Sequence, residues 1–333
     1  MASTFSQSSN SPDRDLRIFL KNLEMLTAEG QLLLDRRQAQ LEEIAGTLQQ
    51  MISDPELSPM ADKEIVREWI DSSLLVSPHD AQPRGSISDV IHLCRALVQK
   101  KTQILRSDTE EFLGPTEAVS IDASEKVSYL QNKFSDEAFL KLTRHFRQPR
   151  AAYASSFTEV CEEVYNRFCE FCILPVESSG DGKLLRFYAL IEKFNLKIVS
   201  VCDVEQLDGS YTKYALLRHK FISFHLPKRL RGGHFAEFGL VLNEGITLSD
   251  VLIAAKHCHM HLSRIDSVPL SYKNDAYRYD AVFSLPDLAD EDTPATDEQI
   301  SLRDMLLDIE TFLLFLSVSL SEYTPIGIYT RVS

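Results

Sequence analysis

The sequence predicts an α+β multidomain chain in three parts: an all-helical N-terminal third, a one-lobed α/β middle, and a β-α-β-β-α-β C-terminal third. Three observations carry this. From Asp13 to Ser53 there is no proline, and apolar residues recur at helical spacing. From Lys126 short strand-like runs alternate with helical ones, the rhythm of a largely parallel sheet. From about Lys228 the order becomes the split βαβ of ferredoxin-like units. The boundaries that follow are a polar, disordered tail over 1–11, then parts over 12–107, 124–222 and 228–333.

In the first part, Leu16, Phe19, Leu23, Leu26, Leu33, Leu34, Leu41, Ile44 and Leu48 mark one helix of some 40 residues. At 1.5 Å per residue it would be roughly 60 Å long. That exceeds what a compact domain covers, so a partner helix, and hence a homodimer, is expected. Further helical patterns span Asp62–Leu75 and Ser86–Leu105, separated by the loop "SPHDAQPRGS". In the middle part "KVSYL", "AAYAS", "FCILPVE", "LKIVSVCDV" and "TKYALLRH" read as strands; "SDEAFLKLTRHF", "SFTEVCEEVYNRF" and "KLLRFYALIEKF" read as helices. The last part runs "FAEFGLVLN", helical "TLSDVLIAAKHC", "LSRIDSVPL", "YRYDAVFSL", helical "ISLRDMLLDIETFLLFLS" and "TPIGIYT". An acidic loop, "PDLADEDTPATDEQ", precedes its second helix.

Composition narrows the function classes. The 333 residues are 44% hydrophobic and carry a net charge of −14, which opposes binding to nucleic acid or anionic membrane. No apolar run reaches the roughly 18–20 residues that span a bilayer, and the polar start lacks a signal-peptide core. A cytoplasmic protein without nucleic-acid or membrane partners is expected. Six cysteines in this length do not suggest a disulfide scaffold. Cys169 and Cys172 form a C-x-x-C that runs into a strand rather than a helix N-terminus, so packing is expected over redox chemistry. His257, Cys258, His259 and His261 crowd into five residues, a pattern that fits either a metal cluster or an element junction.

The chain resembles the bifunctional chorismate mutase–prephenate dehydratase family of phenylalanine biosynthesis, in domain order as much as in motifs. "ILPVESS" resembles the family's strand ending in P-I-E-N-S, placing Glu177 at its glutamate; "SYTKYALL" resembles the T-R-F segment, with Thr212 for the threonine and Lys213 for the arginine. The family's glycine-containing first motif is reduced here to Phe134 and Ser135. Eight residues, Val204 to Tyr211, stand where the family inserts a complete second lobe. Dehydration needs an enclosing cleft with an aligned acid, so the resemblance implies a vestigial dehydratase unit.

The N-terminal helices resemble the mutase unit, which holds a dicarboxylate with several cations and needs no metal or cofactor. Arg17, Arg36, Arg37, Lys63 and Glu64 take the family's catalytic positions. The last part resembles the ACT regulatory domain. Thr247 and Leu248 fall on its G-A-L motif and Asp266 and Ser267 on its E-S-R-P motif, so these are the implied amino-acid effector contacts. On that pattern the histidines straddle a helix-to-strand turn, which favours the junction and no metal. The expected function is a binding or regulatory protein linked to aromatic amino-acid metabolism, without dehydratase activity. The rivals are an active chorismate mutase converting chorismate to prephenate, or a full bifunctional enzyme.

Overall fold

The computed structural model describes residues 12–52, 64–70, 86–100, 126–219, 233–242, 245–269, 277–288 and 299–332, without the side chains of 12–20, 51–52, 288, 299–300 and 302. The 1–11 tail, Lys63 and the heart of the acidic loop lie outside the described residues. Among the described residues three helices come first: α1 (Pro12–Ile52), α2 (64–70) and α3 (Ile87–Gln99). Then follow β1 (Lys126–Leu130), α4 (Lys133–Leu142), β2 (Arg150–Ala154), α5 (Phe157–Tyr165), β3 (Phe171–Ser178), β4 (Gly182–Lys183), α6 (Leu185–Lys193), β5 (Lys197–Glu205) and β6 (Tyr211–Arg218). The last stretch holds β7 (His234–Val241), α7 (Leu248–His257), β8 (His261–Pro269), β9 (Tyr277–Leu285), the short parallel pair β10 (Asp287–Leu288) and β11 (Gln299–Ile300), α8 (Leu302–Ser319) and β12 (Glu322–Val332).

Ten strands form one sheet in the order β2-β1-β3-β6-β5-β12-β7-β9-β8, with β4 paired to β3. The expected largely parallel middle is corrected to a mixed sheet. β2, β1 and β3 are parallel, but β6 runs antiparallel to both β3 and β5. The cause is local. The turn at Asp208–Gly209, with Gly209 at φ 82°, is too short for a crossover and closes β5 onto β6 as a hairpin. β12 then pairs with β5 in parallel and with β7 antiparallel, so it joins the middle strands to β7, β9 and β8.

At that seam the backbones come close. A Cβ on Gly327 would stand 2.8 Å from Ile198 Cβ and 2.9 Å from the Ile198 carbonyl oxygen, distances that only glycine tolerates.

The helical layer explains α8. Every residue from Thr311 to Leu320 is buried. On one side the Phe312 ring meets Phe238 and Phe283 of the sheet, each at 5.5 Å between ring centres. On the other side α3 packs along it, so α8 needs apolar residues all round instead of a stripe. Its end is capped from α2. Arg67 Nη2 donates to the carbonyls of Ser317 (2.7 Å) and Leu320 (3.0 Å), and Nε to that of Val318 (3.1 Å), occupying acceptors a helix terminus leaves open. Midway, Arg95 of α3 pairs with buried Asp308, whose other oxygen lies 2.8 Å from His259 Nδ1.

Gly327→Ala should therefore cost about 1–3 kcal/mol of unfolding free energy, because the new methyl group meets backbone that cannot swing away. Gly180→Ala, with nothing within 4 Å of its Cβ position, is the control and should be near neutral in the same denaturant titration.

Candidate functional site

Strand register assembles the residues from the dehydratase-like motifs. Glu177 on β3 stands opposite Lys213 on β6, and Ser178 opposite Thr212. Glu177 Oε2 accepts from Lys213 Nζ at 2.8 Å and from Arg264 Nη1 at 2.6 Å; Tyr211 Oη donates to Oε1 at 3.3 Å. Arg264 arrives from β8, and its Nε also lies 3.0 Å from Asp266 Oδ2. Gln206 Nε2 donates to Thr212 Oγ1 at 3.4 Å. Glu177, Lys213 and Asp266 thus meet in one cluster through Arg264, while Thr212, next to Lys213 in β6, faces the other side of the strand.

Burial by itself would raise the Glu177 pKa, but the hydrogen bonds and charges of Lys213 and Arg264 outweigh it and hold the carboxyl below its usual value. For Arg264 burial opposes the charge, and the Glu177 carboxylate reverses that and raises the pKa. Sequence reasoning missed Arg264. The available signal was its place two residues before Asp266 in a strand, which puts both side chains on one face.

The helix N-termini beside β1 and β2 carry their own acceptors. Asn132 Oδ1 accepts from the backbone N–H groups of Phe134 and Ser135, both at 3.0 Å, and caps α4. Ser156 caps α5, and the Glu159 carboxylate accepts from the Ser155 backbone N–H at 2.8 Å. Ser135 is buried and turned toward the Asn132 amide, which donates to its hydroxyl at 2.8 Å. The amides that could receive a substrate carboxylate are internally satisfied.

The mutase-like residues are not gathered in the described structure. Arg37 pairs with Asp89 of α3 at 2.6 Å, and Arg36 stands on an exposed stretch of α1. Glu64 is exposed at the start of α2; the Arg17 side chain and Lys63 lie outside the described residues. A groove of about 380 Å³ between α1 and α2 is lined by Gln40, Glu43, Ile44, Thr47, Leu48 and Trp69. That lining holds a carboxylate and no cation, which does not suit a dicarboxylate.

The effector-motif residues divide between two places. Thr247 caps α7: its hydroxyl accepts from the Asp250 N–H at 3.3 Å and donates to the Asp250 carboxylate at 2.6 Å. Leu248 is the first residue of that helix, while Asp266 and Ser267 sit on the edge strand β8. The histidines diverge. The His257 ring packs edge-on against His92 at 5.9 Å, and its carbonyl accepts from Arg95. His259 turns the chain at φ 52° and faces Asp308, and His261 begins β8 opposite Ser284. Among the described residues no group of three His, Cys, Asp or Glu side chains is placed to hold a metal. Cys169 and Cys172 are buried and unbridged; burial pushes the Cys169 thiol up to about 11 and raises Cys172 as well, away from the reactive thiolate.

No family model and no curated protein matches the chain. Several solved structures are similar to it. A prephenate dehydratase from Streptococcus mutans is 18% identical with a TM-score of 0.46, over 63% of this chain and 100% of its own. A prephenate dehydratase from Arthrobacter aurescens, in complex with L-Phe, is 13% identical with a TM-score of 0.42, over 62% and 90%. The quorum-quenching acylase GqqA is 14% identical with a TM-score of 0.42, over 62% and 96%. At this distance the functional reading rests on the side chains themselves. No described helix is long and apolar enough to cross a membrane.

Because Glu177 is more acidic folded than unfolded, its stabilising contribution is full above the ordinary carboxylate range and lost as pH falls through and below it. Glu177→Gln should lower stability near neutrality by about 1–3 kcal/mol and flatten the decline between roughly pH 5 and 3. Urea titrations across that range check both effects.

Proposed function

We propose that this protein is a non-catalytic, regulatory relative of the prephenate dehydratases, tied to phenylalanine biosynthesis through binding of an amino-acid effector rather than through turnover. The observation that carries the reading is the engagement of Glu177 by Lys213 and Arg264. Two cations and two carboxylates, counting Asp266, leave the motif residues locally neutral. A dicarboxylate such as prephenate would have to displace Glu177 or Asp266 from their cations, leaving buried charge unpaired.

On this reading the β7-α7-β8-β9-α8-β12 unit is ACT-like and the mixed-sheet strands serve as its support. Retention of Thr247 and Leu248 at a helix start and of Asp266 and Ser267 on an edge strand supports an effector site built from those elements. The rival, a working chorismate mutase, requires cations to converge beside the α1–α2 groove.

Proton NMR of chorismate and of prephenate incubated with the purified protein tests the reading. Neither prephenate nor phenylpyruvate should form above the spontaneous rate, while calorimetric titration with L-phenylalanine and other amino acids should give saturable heat that Asp266→Ala weakens about tenfold or more, the loss of one charge-assisted contact. Excess phenylpyruvate would overturn the non-catalytic reading; excess prephenate abolished by Arg36→Ala would establish the mutase.

A further inference from the structure

Strand β2 ends the sheet, so one side of its backbone meets no described strand. Its small Ala151 and Ala152 side chains leave that row of N–H and C=O groups uncovered, a template on which another chain can pair. The two faces of the strand differ. Ala152 and Ala154 turn toward α5, and Arg150 with them, whereas Tyr153, 56% exposed, turns to the face of Tyr129, its ring 5.3 Å away. On the α5 side cations gather. Arg150 stands in register beside Lys126 of β1, and like charges so placed repel. Arg167 follows the cap of α5, three residues before Glu170, whose N–H donates to the Lys126 carbonyl at 3.1 Å. Its φ of 61° is a strained backbone for a non-glycine residue, of the kind that gathers at functional turns. Neighbouring acids are already engaged: Glu163 by the Cys169 thiol at 3.4 Å, and Glu170 by Arg218. Lys126, Arg150 and Arg167 are exposed, and none pairs with a carboxylate among the described residues.

We propose that β2 takes up an extended acidic peptide of another protein as an added strand, its carboxylates against Lys126, Arg150 and Arg167 and its apolar residues against Tyr153. Alternation selects the form. Successive side chains of a strand point to opposite faces, so a peptide of alternating acidic and apolar residues meets cations on one face of the sheet and the tyrosine on the other. Charge selects the occupant. From Ala138 to Thr158 the sequence holds four bases beside His145 and no Asp or Glu, in a chain whose net charge is −14. A second copy pairing edge to edge would bring two such sets of cations together. A long nucleic acid or an anionic membrane would run past the patch onto an acidic molecule and be repelled there, whereas a short acidic segment stays within it. The inference is independent of the effector reading, since β2 and β8 end the sheet on opposite sides.

Fluorescence anisotropy of a fluorescein-labelled peptide of alternating glutamate and valine, titrated with the full chain, tests it. Binding should be saturable at about 50 mM salt and weaken as salt rises to about 200 mM. Arg150→Glu and Arg167→Glu should each weaken it about tenfold or more, and Arg150→Gln less, with the thermal midpoint of the protein unchanged. Lys21→Glu, on α1, should leave binding intact. A peptide of alternating lysine and valine should not bind. Alternate amides of an added strand face its neighbour, so N-methylation of one alternate set in the probe should abolish binding while the other set tolerates it. No saturable binding, or binding indifferent to the charge reversals, would overturn the inference. Equal effects of the two methylated sets would overturn strand addition. Tighter binding of oligouridylate or of phosphatidylserine vesicles would overturn the choice of a peptide.

Discussion

The parallel pairing of β5 with β12 at Gly327 is the contact on which the rest of the molecule depends. It makes one sheet of two sets of strands, and the sheet then turns back on itself. Along β7, Ala236, Phe238 and Leu240 enter the core beneath α7 and α8, so Glu237 faces the opposite side. There the β3–β4 hairpin and α6 close over it. Lys183 Nζ donates to Glu237 and to Asp280, both at 2.8 Å, with its ammonium 3.7 Å from the centre of the Tyr188 ring. Tyr329 donates to the remaining Glu237 oxygen at 3.2 Å, and Arg278 bridges Asp280 to Glu192. Such buried pairs add little net stability over apolar packing, but they match only one alignment of the two faces. Their contribution is register.

Helical packing answers the histidine question in the same terms. The turn after α7 is held between α3 and α8, where Asp308 is buried and needs a full complement of donors. Arg95 supplies one and His259 faces the other oxygen. For His257, burial first, then neighbouring His92 and Arg95, lower the pKa, which suits a ring packed at a helix junction among positive groups. These residues fasten the N-terminal helices to the last unit.

Much of the fold was legible because its signals are local. Strand and helix spans read from periodicity fall within a few residues of those observed, as with Phe171–Ser178 and Tyr277–Leu285. What was not legible came from contacts distant in sequence. The direction of β6 depended on a short turn that the alternation of elements concealed. The all-round burial of α8 depended on α3 packing on the side a sheet-bound helix usually leaves to water. Arg264 lies 87 residues from Glu177, so no spacing rule could join them. The candidate residues themselves were singled out through resemblance. Their state, paired instead of open, was a matter of tertiary geometry.

That state bears on how the middle strands complete their own core. The middle strands bury their apolar faces in two clusters, one on each side of the sheet, so no second lobe is needed to complete a core. The polar groups at the ends of those strands and at the neighbouring helix starts are then what must be satisfied. Here each is quenched from within: Asn132 at one helix start, Glu159 beside another, and Glu177 by Lys213 and Arg264. Left unpaired, the charges there would be unbalanced and would hold a ligand weakly, because solvent screens them. Neutral pairing relieves that imbalance, and with Arg264 arriving from β8 it ties the middle strands to the last unit. The polar groups at these strand ends and helix starts therefore serve the fold, each met by a partner from within the chain.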